Sequence, residues 1–498
     1  MMRHTRAWSA GPDTLAASGV QGPTVLNTML PGFRKRPETP LLLALLAGSL
    51  LSTFAFFVSI LANLPDEIRI AVVGGAFVGP VIVILVLWNW ALGTYLFTAA
   101  LAFQDMLVFG PLASATKIAA LLTFSSLALT LLGDRKLLGR LMYLLQQPLL
   151  ISVFAFALWY LLSVLWAGNQ PAAIIRASTF VGLFGMTLAI ALLRVRQVTT
   201  LWVVLAASTF VSVVVGYLFH PASDQLNAAP GLNRFTAAGM NPDDYSGFLA
   251  MVFFVAFYGL PERFRLARYV LAAVILLGLL AAQSRAGVAA LIITPSLVLF
   301  IPALRARYGR RTILALGLAA LTFVGVVYLA PAMGQVLSER YATLTQLQSE
   351  DTWTGRWDIW RGAFQIIDAH PLLGIGAGNF PYVSPEYSGQ AAFLAANGSG
   401  AVAHNMFLSV WSELGPVGLA LFVGMLVLAF KRALVLVRRG SVLGAGLLFG
   451  LLVYTLMGLT LTWEQQEVAY LIYGSILSLG FQETSQRGAQ TTRASAPR

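Results

Sequence analysis

The segment 403–418, AHNMFLSVWSELGPVG, places a histidine directly before a long apolar run. The chain has only four histidines, and His404 stands where a hydrophilic stretch meets a predicted membrane helix. Imidazole titrates near ambient pH, so it is well suited to accept a proton from a hydroxyl group. We therefore consider His404 a candidate general base. The alternative is a structural histidine that bonds a backbone carbonyl at the membrane surface.

Arginine and lysine residues are distributed unevenly along the chain. Most of the 32 lie in segments that the positive-inside rule assigns to the cytoplasm. Against this bias, the predicted outer segments and outer helix ends carry Arg69, Lys117, Arg176, Arg234, Arg285, Arg340, Arg356 and Arg361. Such positions indicate local partners. Simpler explanations are pairing of Arg69 with Asp66 or Glu67, and extension of Lys117 or Arg176 to the interface.

The composition defines the class of protein. Hydrophobic residues make up 58% of the chain and charged residues 10%, as in a polytopic membrane protein. About fourteen apolar runs (12–14) recur between 41 and 481, and each is long enough to cross a bilayer as a helix. This pattern predicts an all-α integral membrane bundle. With fourteen spans, both termini lie in the cytoplasm. Two of the runs, 70–87 and 89–103, could also form one tilted helix. The net charge of +12 reflects topology and lipid headgroups, not nucleic-acid binding.

The apolar runs also define a domain organisation. We expect a disordered cytoplasmic tail at 1–40, transmembrane helices 1–11 over 41–331 with an outer loop at 220–244, and a long outer loop at 332–403 in which function should reside. Helices 12–14 over 404–481 and a cytoplasmic tail at 482–498 follow. Within the long loop, Trp357, Trp360, Phe364 and Ile367 have helical spacing. This pattern predicts an amphipathic helix whose aromatic face lies on the membrane surface.

Several kinds of chemistry have no support in the sequence. The absence of cysteine excludes disulfides, thiolate metal sites and cysteine nucleophiles. There is no Walker loop or dinucleotide fingerprint, so a substrate on the outer face must arrive already activated. Gly374, Gly376 and Gly378 resemble a phosphate loop, but they lack the flanking strand and helix, which favours a flexible turn. No cofactor is predicted.

Residues 351–421 closely resemble the O-antigen ligase and polymerase superfamily of bacterial membrane glycosyltransferases. His404-Asn405, nine residues, Gly415, two residues and Gly418 match the ligase pattern H-[NSQ]-x9-G-x-x-G in full. The further similarities are Gly355-Arg356 followed by Trp360, the run HPLLGIG at 370–376, the run SRAG at 284–287, and Arg340 to Leu344 as R-x3-L. In one departure from the family pattern, Arg234 is followed by the acidic pair Asp243-Asp244.

The resemblance implies a GT-C-like helical fold and a function. The expected reaction transfers a glycan from undecaprenyl diphosphate to a hydroxyl of lipid A core, at the periplasmic face of the bacterial inner membrane, with inversion and without a metal. The residues implied are His404 and Arg285 as catalytic groups, Arg234, Arg356 and Arg340 as diphosphate ligands, and Asn405, Gly415 and Gly418 as a structural motif. Arginine suits this role because its planar fork grips phosphate oxygens and stays protonated.

Alternatives remain open at this stage. The acceptor could be another lipid-linked repeat, as in a polymerase, or a protein hydroxyl, as in an O-linked oligosaccharyltransferase. Asp66-Glu67 would suit a metal-dependent reaction, and a bundle of many helices would suit a transporter or flippase. Glu413 lies on the opposite side of its helix from His404, so it is either a catalytic carboxylate acting elsewhere or the partner of a basic residue on a neighbouring helix.

Overall fold

A computed structural model describes residues 79–104, 108–110, 113–219, 241–261, 263, 265–329 and 351–494. The chain divides into two compact units, Met1–Ile82 and Val83–Arg498, and only residues 79–82 of the first are described. The predicted span 41–63, the pair Asp66-Glu67, and Arg234 and Arg340 lie outside the described residues.

The described chain is almost entirely helical. Its first half contains α1 (Gly79–Trp88), α2 (Trp90–Ala100), a short ladder of β1 (Val108–Gly110) with β2 (Ala113–Ser114), α3 (Ala115–Gly133), α4 (Arg135–Leu144), α5 (Pro148–Ser163), α6 (Gln170–Leu192), α7 (Val195–Phe219) and α8 (Pro242–Gly259). The second half contains α9 (Arg265–Ala281), α10 (Arg285–Phe300), α11 (Pro302–Leu329), α12 (Asp351–Ala369), α13 (Phe380–Val383), α14 (Gly389–Ala396), α15 (Met406–Arg438), α16 (Val442–Gly458) and α17 (Glu467–Ala494).

The helix ends are set by local capping signals within the apolar runs. Asn89 has an extended backbone and accepts a hydrogen bond from the N–H of Ala91 at 3.1 Å, so it ends α1 and caps α2. The runs 70–87 and 89–103 are therefore separate helices in their described part. Asp134 caps α4 in the same way, accepting from the N–H groups of Lys136 and Leu137. The sequence did not predict α4, which joins α5 at a bend of 78°.

Five of the helices in the described residues are long and apolar enough to cross a membrane, or six when the bent pair α4–α5 is taken as one span. The other apolar helices of this part, including α10, α16 and the apolar portion of α17, are shorter. The estimate of about fourteen spans stays a prediction.

Helix α8 lies at the centre of the bundle and is buried over nearly its full length. It packs against α16 and α10. The contact with α16 is close because Gly446 has no side chain: a Cβ there would come within 2.8 Å of the carbonyl oxygen of Val255. This central position matters for the site, because the first turn of α8 carries Asp243 and Asp244.

Some of the arginines assigned to the cytoplasm cap helix ends within the protein. Arg140 donates to the carbonyls of Ala191 and Leu193, at 2.9 and 2.7 Å, where α6 ends. Arg307 donates to the carbonyl of Val437 near the end of α15, at 3.1 Å. Cations stabilise the negative ends of helices. Lipid headgroups are therefore not the only partners of these charges.

The segment 351–403 forms a second, smaller hydrophobic cluster against the start of α15. Helix α12 contributes Ile359, Ala363 and Ile366, all buried, to that cluster. Trp357 and Phe364 are instead exposed, at 56% and 49%. The predicted aromatic face is thus divided between the two sides of the helix. The small and branched residues form the packed side because they fit closely against α15.

Candidate active site

His404 is held in an unusual backbone conformation just before α15. Its φ angle of 48° lies in the left-handed region, which residues other than glycine rarely adopt. The backbone N–H of His404 donates to the hydroxyl of Thr462 at 3.0 Å. This hydrogen bond fixes the backbone immediately before α15.

Asn405 explains the second position of the sequence motif. Its side-chain oxygen accepts hydrogen bonds from the N–H groups of Phe407 and Leu408, at 2.9 and 3.1 Å, and so caps α15. Its amide nitrogen donates to the carbonyl of Leu459 at 3.2 Å. Asn, Ser and Gln all carry a side-chain oxygen that can accept from a backbone N–H, which the pattern H-[NSQ] requires at this position.

The loop 459–466, between α16 and α17, supports the residues around His404. Thr462 bonds the backbone before α15, and Glu464 accepts from the hydroxyl of Ser409 in the first turns of α15 at 3.2 Å. The adjacent Gly458 packs under Met406, where any Cβ would overlap the methionine side chain. The loop therefore runs alongside residues 404–409 and fixes their position.

The same loop connects His404 to the central helix. The indole N–H of Trp463 donates to the carboxylate of Asp244 at 2.8 Å. The ring packs so closely on Gly247 that a Cβ at this glycine would overlap it. The acidic pair at 243–244, which departs from the family pattern, is thereby joined to the loop that holds His404.

Arg285 is the first residue of α10, which starts beside the start of α8. Ser284 caps α10 by accepting from the N–H of Gly287 at 3.3 Å. Gly287 packs on Ser246, and a Cβ on the glycine would come within 2.6 Å of the serine hydroxyl. The first turns of α8 and α10 are therefore in contact, and Arg285 lies at the end of the bundle that carries Asp243 and Asp244.

Arg356 approaches the site from α12. One helical turn later, Trp360 donates its indole N–H to the carbonyl of Ala403 at 2.9 Å, which fixes this face of α12 beside His404. The positive charge of Arg356 acts on His404 strongly enough to lower the pKa of its imidazole. The second diphosphate ligand expected from the sequence is thus close to the candidate base.

The electrostatics keep His404 neutral. Burial, and after it the positive charge of Arg356, lower the pKa of the imidazole, the negative charge of Asp243 opposes them, and the net pKa is about 4. At neutral pH the ring therefore carries a lone pair that can accept a proton. The structure brings His404 and Arg356 close to the first turn of α8, which carries Asp243 and Asp244. The start of α10, with Arg285, packs against that turn of α8. Arg234 and Arg340 lie outside the described residues.

Gly415 and Gly418 shape α15. Gly415 has a φ angle of 69° and interrupts the helix. A Cβ there would overlap the carbonyl of Leu372, so this position requires glycine both for its conformation and for its space. A Cβ on Gly418 would overlap Leu414 and come within 3.4 Å of the Trp159 ring. Both motif glycines thus lie where a side chain would meet neighbouring atoms.

The glycine-rich turn 374–378 docks into the interruption of α15. The N–H groups of Ile375 and Gly376 donate to the carbonyls of Ser412 and Glu413, at 3.0 and 2.8 Å. The N–H of Gly378 donates to the carboxylate of Glu413 at 2.8 Å. These amides already have partners, so they do not form a phosphate cradle. The turn is held by specific hydrogen bonds, contrary to the flexible turn that the sequence favoured.

An ionic cluster adjoins these loops, and the local sequence carries only a weak signal for it. Arg176 of α6 forms an ion pair with Glu464 at 3.9 Å and donates to the side chain of Gln465. Its charge also acts on Glu413. Extension to the interface, the simple explanation offered by the sequence for Arg176, does not account for these contacts. Its position against the positive-inside bias was the signal that a partner exists.

The helices place the chain in the class of multi-pass helical membrane proteins. Its polar site lies where the segments 351–403 and 459–466 meet the starts of α8 and α15. Residues 270–423 match the family model described as O-antigen ligase. The match contains Arg285, Arg356 and His404. The match confirms the resemblance to the O-antigen ligase superfamily that the sequence indicates, and members of that family are glycosyltransferase-like enzymes. Comparison with curated proteins gave no match.

Proposed function

We propose that the protein transfers a glycan from undecaprenyl diphosphate to an acceptor hydroxyl, as an O-antigen ligase. The observation that carries this proposal is the neutral, partly buried imidazole of His404 beside the guanidinium of Arg356. A proton acceptor next to a fixed cation suits a reaction in which an alcohol loses a proton while a diphosphate gains negative charge. The family match, which spans both residues, supports the same reaction class.

In the proposed reaction, the acceptor oxygen attacks the anomeric carbon and its proton passes to His404. The bond from that carbon to the diphosphate oxygen breaks, and the lipid diphosphate leaves with the bonding electron pair. Attack opposite the leaving group inverts the anomeric centre. Arg285 and Arg356, with Arg234 and Arg340 as further ligands, stabilise the leaving diphosphate. Guanidinium groups supply this positive charge without a metal ion.

Asp243 has a complementary role in this proposal. When His404 accepts the proton, a second positive charge appears beside Arg356. The carboxylate of Asp243, which opposes the lowering of the His404 pKa, stabilises the imidazolium. The acidic pair that departs from the family pattern is therefore compatible with the chemistry.

We infer that lipid A core is the acceptor, because the complete H-[NSQ]-x9-G-x-x-G pattern and the description of the family model both indicate a ligase. The reaction then takes place at the periplasmic face of the bacterial inner membrane, with 332–403 as the periplasmic catalytic loop and both termini in the cytoplasm. A polymerase or a protein O-glycosyltransferase would need the same diphosphate ligands and base, so the products must distinguish them.

The test uses purified protein with a polyprenyl-diphosphate glycan and either lipid A core or a second lipid-linked repeat, with product analysis. Glycan on lipid A core is the result expected for a ligase, and extended lipid-linked chains would instead identify a polymerase. Movement of the glycolipid between leaflets without a new glycosidic bond would identify a transporter.

Histidine variants then test the mechanism. His404→Ala should lower turnover by roughly 10²- to 10⁴-fold while donor binding persists. His370→Ala is the matched control, because this histidine is exposed in the turn after α12 and has no part in the proposed reaction. Arg285→Ala should weaken both binding and turnover. Full turnover by His404→Ala would remove His404 as the base.

A further inference from the structure

The charged residues near the proposed site include three that the reaction itself does not use. Glu464 is completely buried, Glu413 is 1% exposed, and Arg176 is the cation that both carboxylates share. Burying charged groups in a membrane protein is costly, and such groups are usually retained for a function. Here the cluster includes Glu464 of the loop that holds His404.

Glu464 is fixed from several directions. Its carboxylate pairs with Arg176 and accepts from the hydroxyl of Ser409 at 3.2 Å. Its backbone carbonyl accepts from the hydroxyls of Tyr454 and Tyr470, at 3.4 and 3.2 Å. Neither the side chain nor the backbone of this residue can move without breaking these contacts, so Glu464 anchors the loop 459–466.

The anchor is adjacent to the groups that hold the candidate base. Two residues before Glu464, the hydroxyl of Thr462 receives the N–H of His404. Ser409, which Glu464 binds, lies in the first turns of the helix that follows His404. The loop therefore contacts the chain on both sides of a residue with a left-handed backbone, a conformation that persists only when its surroundings enforce it.

Glu413 extends the same network to the other side of the site. Its two carboxylate oxygens accept from the N–H groups of Gly378 and Phe380, at 2.8 and 3.2 Å, and so hold the turn that follows α12. Arg356 lies in α12. Arg176 thus acts on two carboxylates, one that fixes the loop holding His404 and one that fixes the turn after the helix carrying Arg356.

We propose that Arg176 and Glu464 are positioning residues for the transfer reaction: their ion pair fixes the loop 459–466 so that Thr462 holds His404 in place beside Arg356. The kinetic part of this inference rests on the proposed function. The residues act through His404 and not on the substrate, so their loss should affect turnover and leave donor binding nearly unchanged.

The kinetic test compares Glu464→Gln, Arg176→Lys and Arg176→Met with the wild type. Displacing a catalytic group by about 1 Å can cost roughly 100-fold in rate, so we expect kcat to fall by about 10- to 100-fold, with the KM for the donor changed by less than about 2-fold. Arg176→Lys keeps the charge and should retain more activity than Arg176→Met. Arg140→Lys is the control for lost arginine hydrogen bonds, because Arg140 binds carbonyls at the end of α6, remote from the site.

A double-mutant cycle separates positioning from general destabilisation. In the His404→Ala background, Glu464→Gln should cause no further loss of the residual turnover, because the residue through which it acts is already absent. Losses that multiply in the double variant would show that Glu464 supports the fold as a whole, and this would overturn the inference.

A readout that needs no activity keeps this test independent of the proposed function. The chain has four histidines, so the imidazole resonances of isotope-labelled protein can be assigned with His404→Ala. The His404 resonance should move in Glu464→Gln and stay in place in Arg140→Lys. If the wild type transfers no glycan, the proposed function fails, and this resonance alone decides the inference: a shift supports it and an unchanged position overturns it.

Discussion

Replacing Arg356 with glutamine should raise the pKa of His404. Burial is the largest cause of the low value, and the charge of Arg356 is the second. A pKa of about 4, against 6.5 for the free side chain, corresponds to roughly 3 kcal/mol against the protonated imidazole. One unit charge acting over about 8 to 16 Å at an effective dielectric constant near 20 contributes roughly 1 to 2 kcal/mol. We therefore expect Arg356→Gln to raise the His404 pKa by about one pH unit.

The direction follows from the charges. Removing a cation makes protonation of the neighbouring imidazole easier, so the acidic limb of the kcat/KM profile should move to higher pH. Titration of the His404 resonance measures the same pKa without substrate. Arg361→Gln is the matched control: this arginine is exposed on the same helix, and its removal changes the net charge equally.

Two results would refute the reasoning. An unchanged His404 titration in Arg356→Gln would mean that this charge does not act on the imidazole. An equal shift in Arg361→Gln would mean that only the net charge of the loop matters, and the local arrangement of Arg356 and His404 would lose its significance.

The same electrostatics predict that the donor strengthens the base. A bound diphosphate beside Arg356 would offset the positive charge that lowers the His404 pKa. Because kcat reports the enzyme–substrate complex and kcat/KM the free enzyme, the acidic limb of kcat should lie at higher pH than that of kcat/KM. Coincident limbs would indicate that the diphosphate binds elsewhere.

Three further predictions concern the interruption of α15, the turn that docks into it, and the effect of removing metal ions. Gly415→Ala should lower stability by roughly 2 kcal/mol or more, measured by thermal unfolding in one detergent, because of its positive φ and its close contact with Leu372. Gly424→Ala, with open space around it in the same helix, should have little effect. Glu413→Gln should loosen the turn 374–380 at a cost of about 1 to 3 kcal/mol, seen as faster proteolysis there. Activity should persist in EDTA, and its loss would revive the metal-dependent alternative.

Much of the helical architecture was predictable because bilayer-length apolar runs have few other structures available to them. The predicted runs at 149–166 and 199–219 correspond to α5 and α7, with ends displaced by a few residues. Helix α4 was missed because its charged residues lack the apolar signal of a spanning helix, although Asp134 provides a clear cap. The spacing of the aromatic residues does not indicate which side of α12 packs, because the packed side consists mainly of isoleucine and alanine positions.

The site was predictable only where one local motif contains it. The pattern around His404 singles out the candidate base and the motif residues Asn405, Gly415 and Gly418, because all of them lie within one stretch of fifteen residues. The partners that fix the base come from distant segments. Asp244 and Trp463 are separated by 219 residues, and nothing in either local sequence indicates that they meet. Arg176 could be identified as unusual from topology, but its acidic partner could not.

The position of Asp243 links the structural departure from the family pattern to the energetics of the proposed reaction. A base held near a fixed cation is easily kept neutral, but its protonated form is destabilised by that same cation. If the negative charge of the diphosphate were the only one to offset the positive charge of Arg356, the imidazolium would lose this stabilisation as soon as the lipid diphosphate departed. A carboxylate at the start of the central helix remains after product release, so it can stabilise the proton on His404 until solvent removes it. An acidic residue beside the arginines is therefore consistent with a diphosphate site, because each charge acts at a different stage of the turnover.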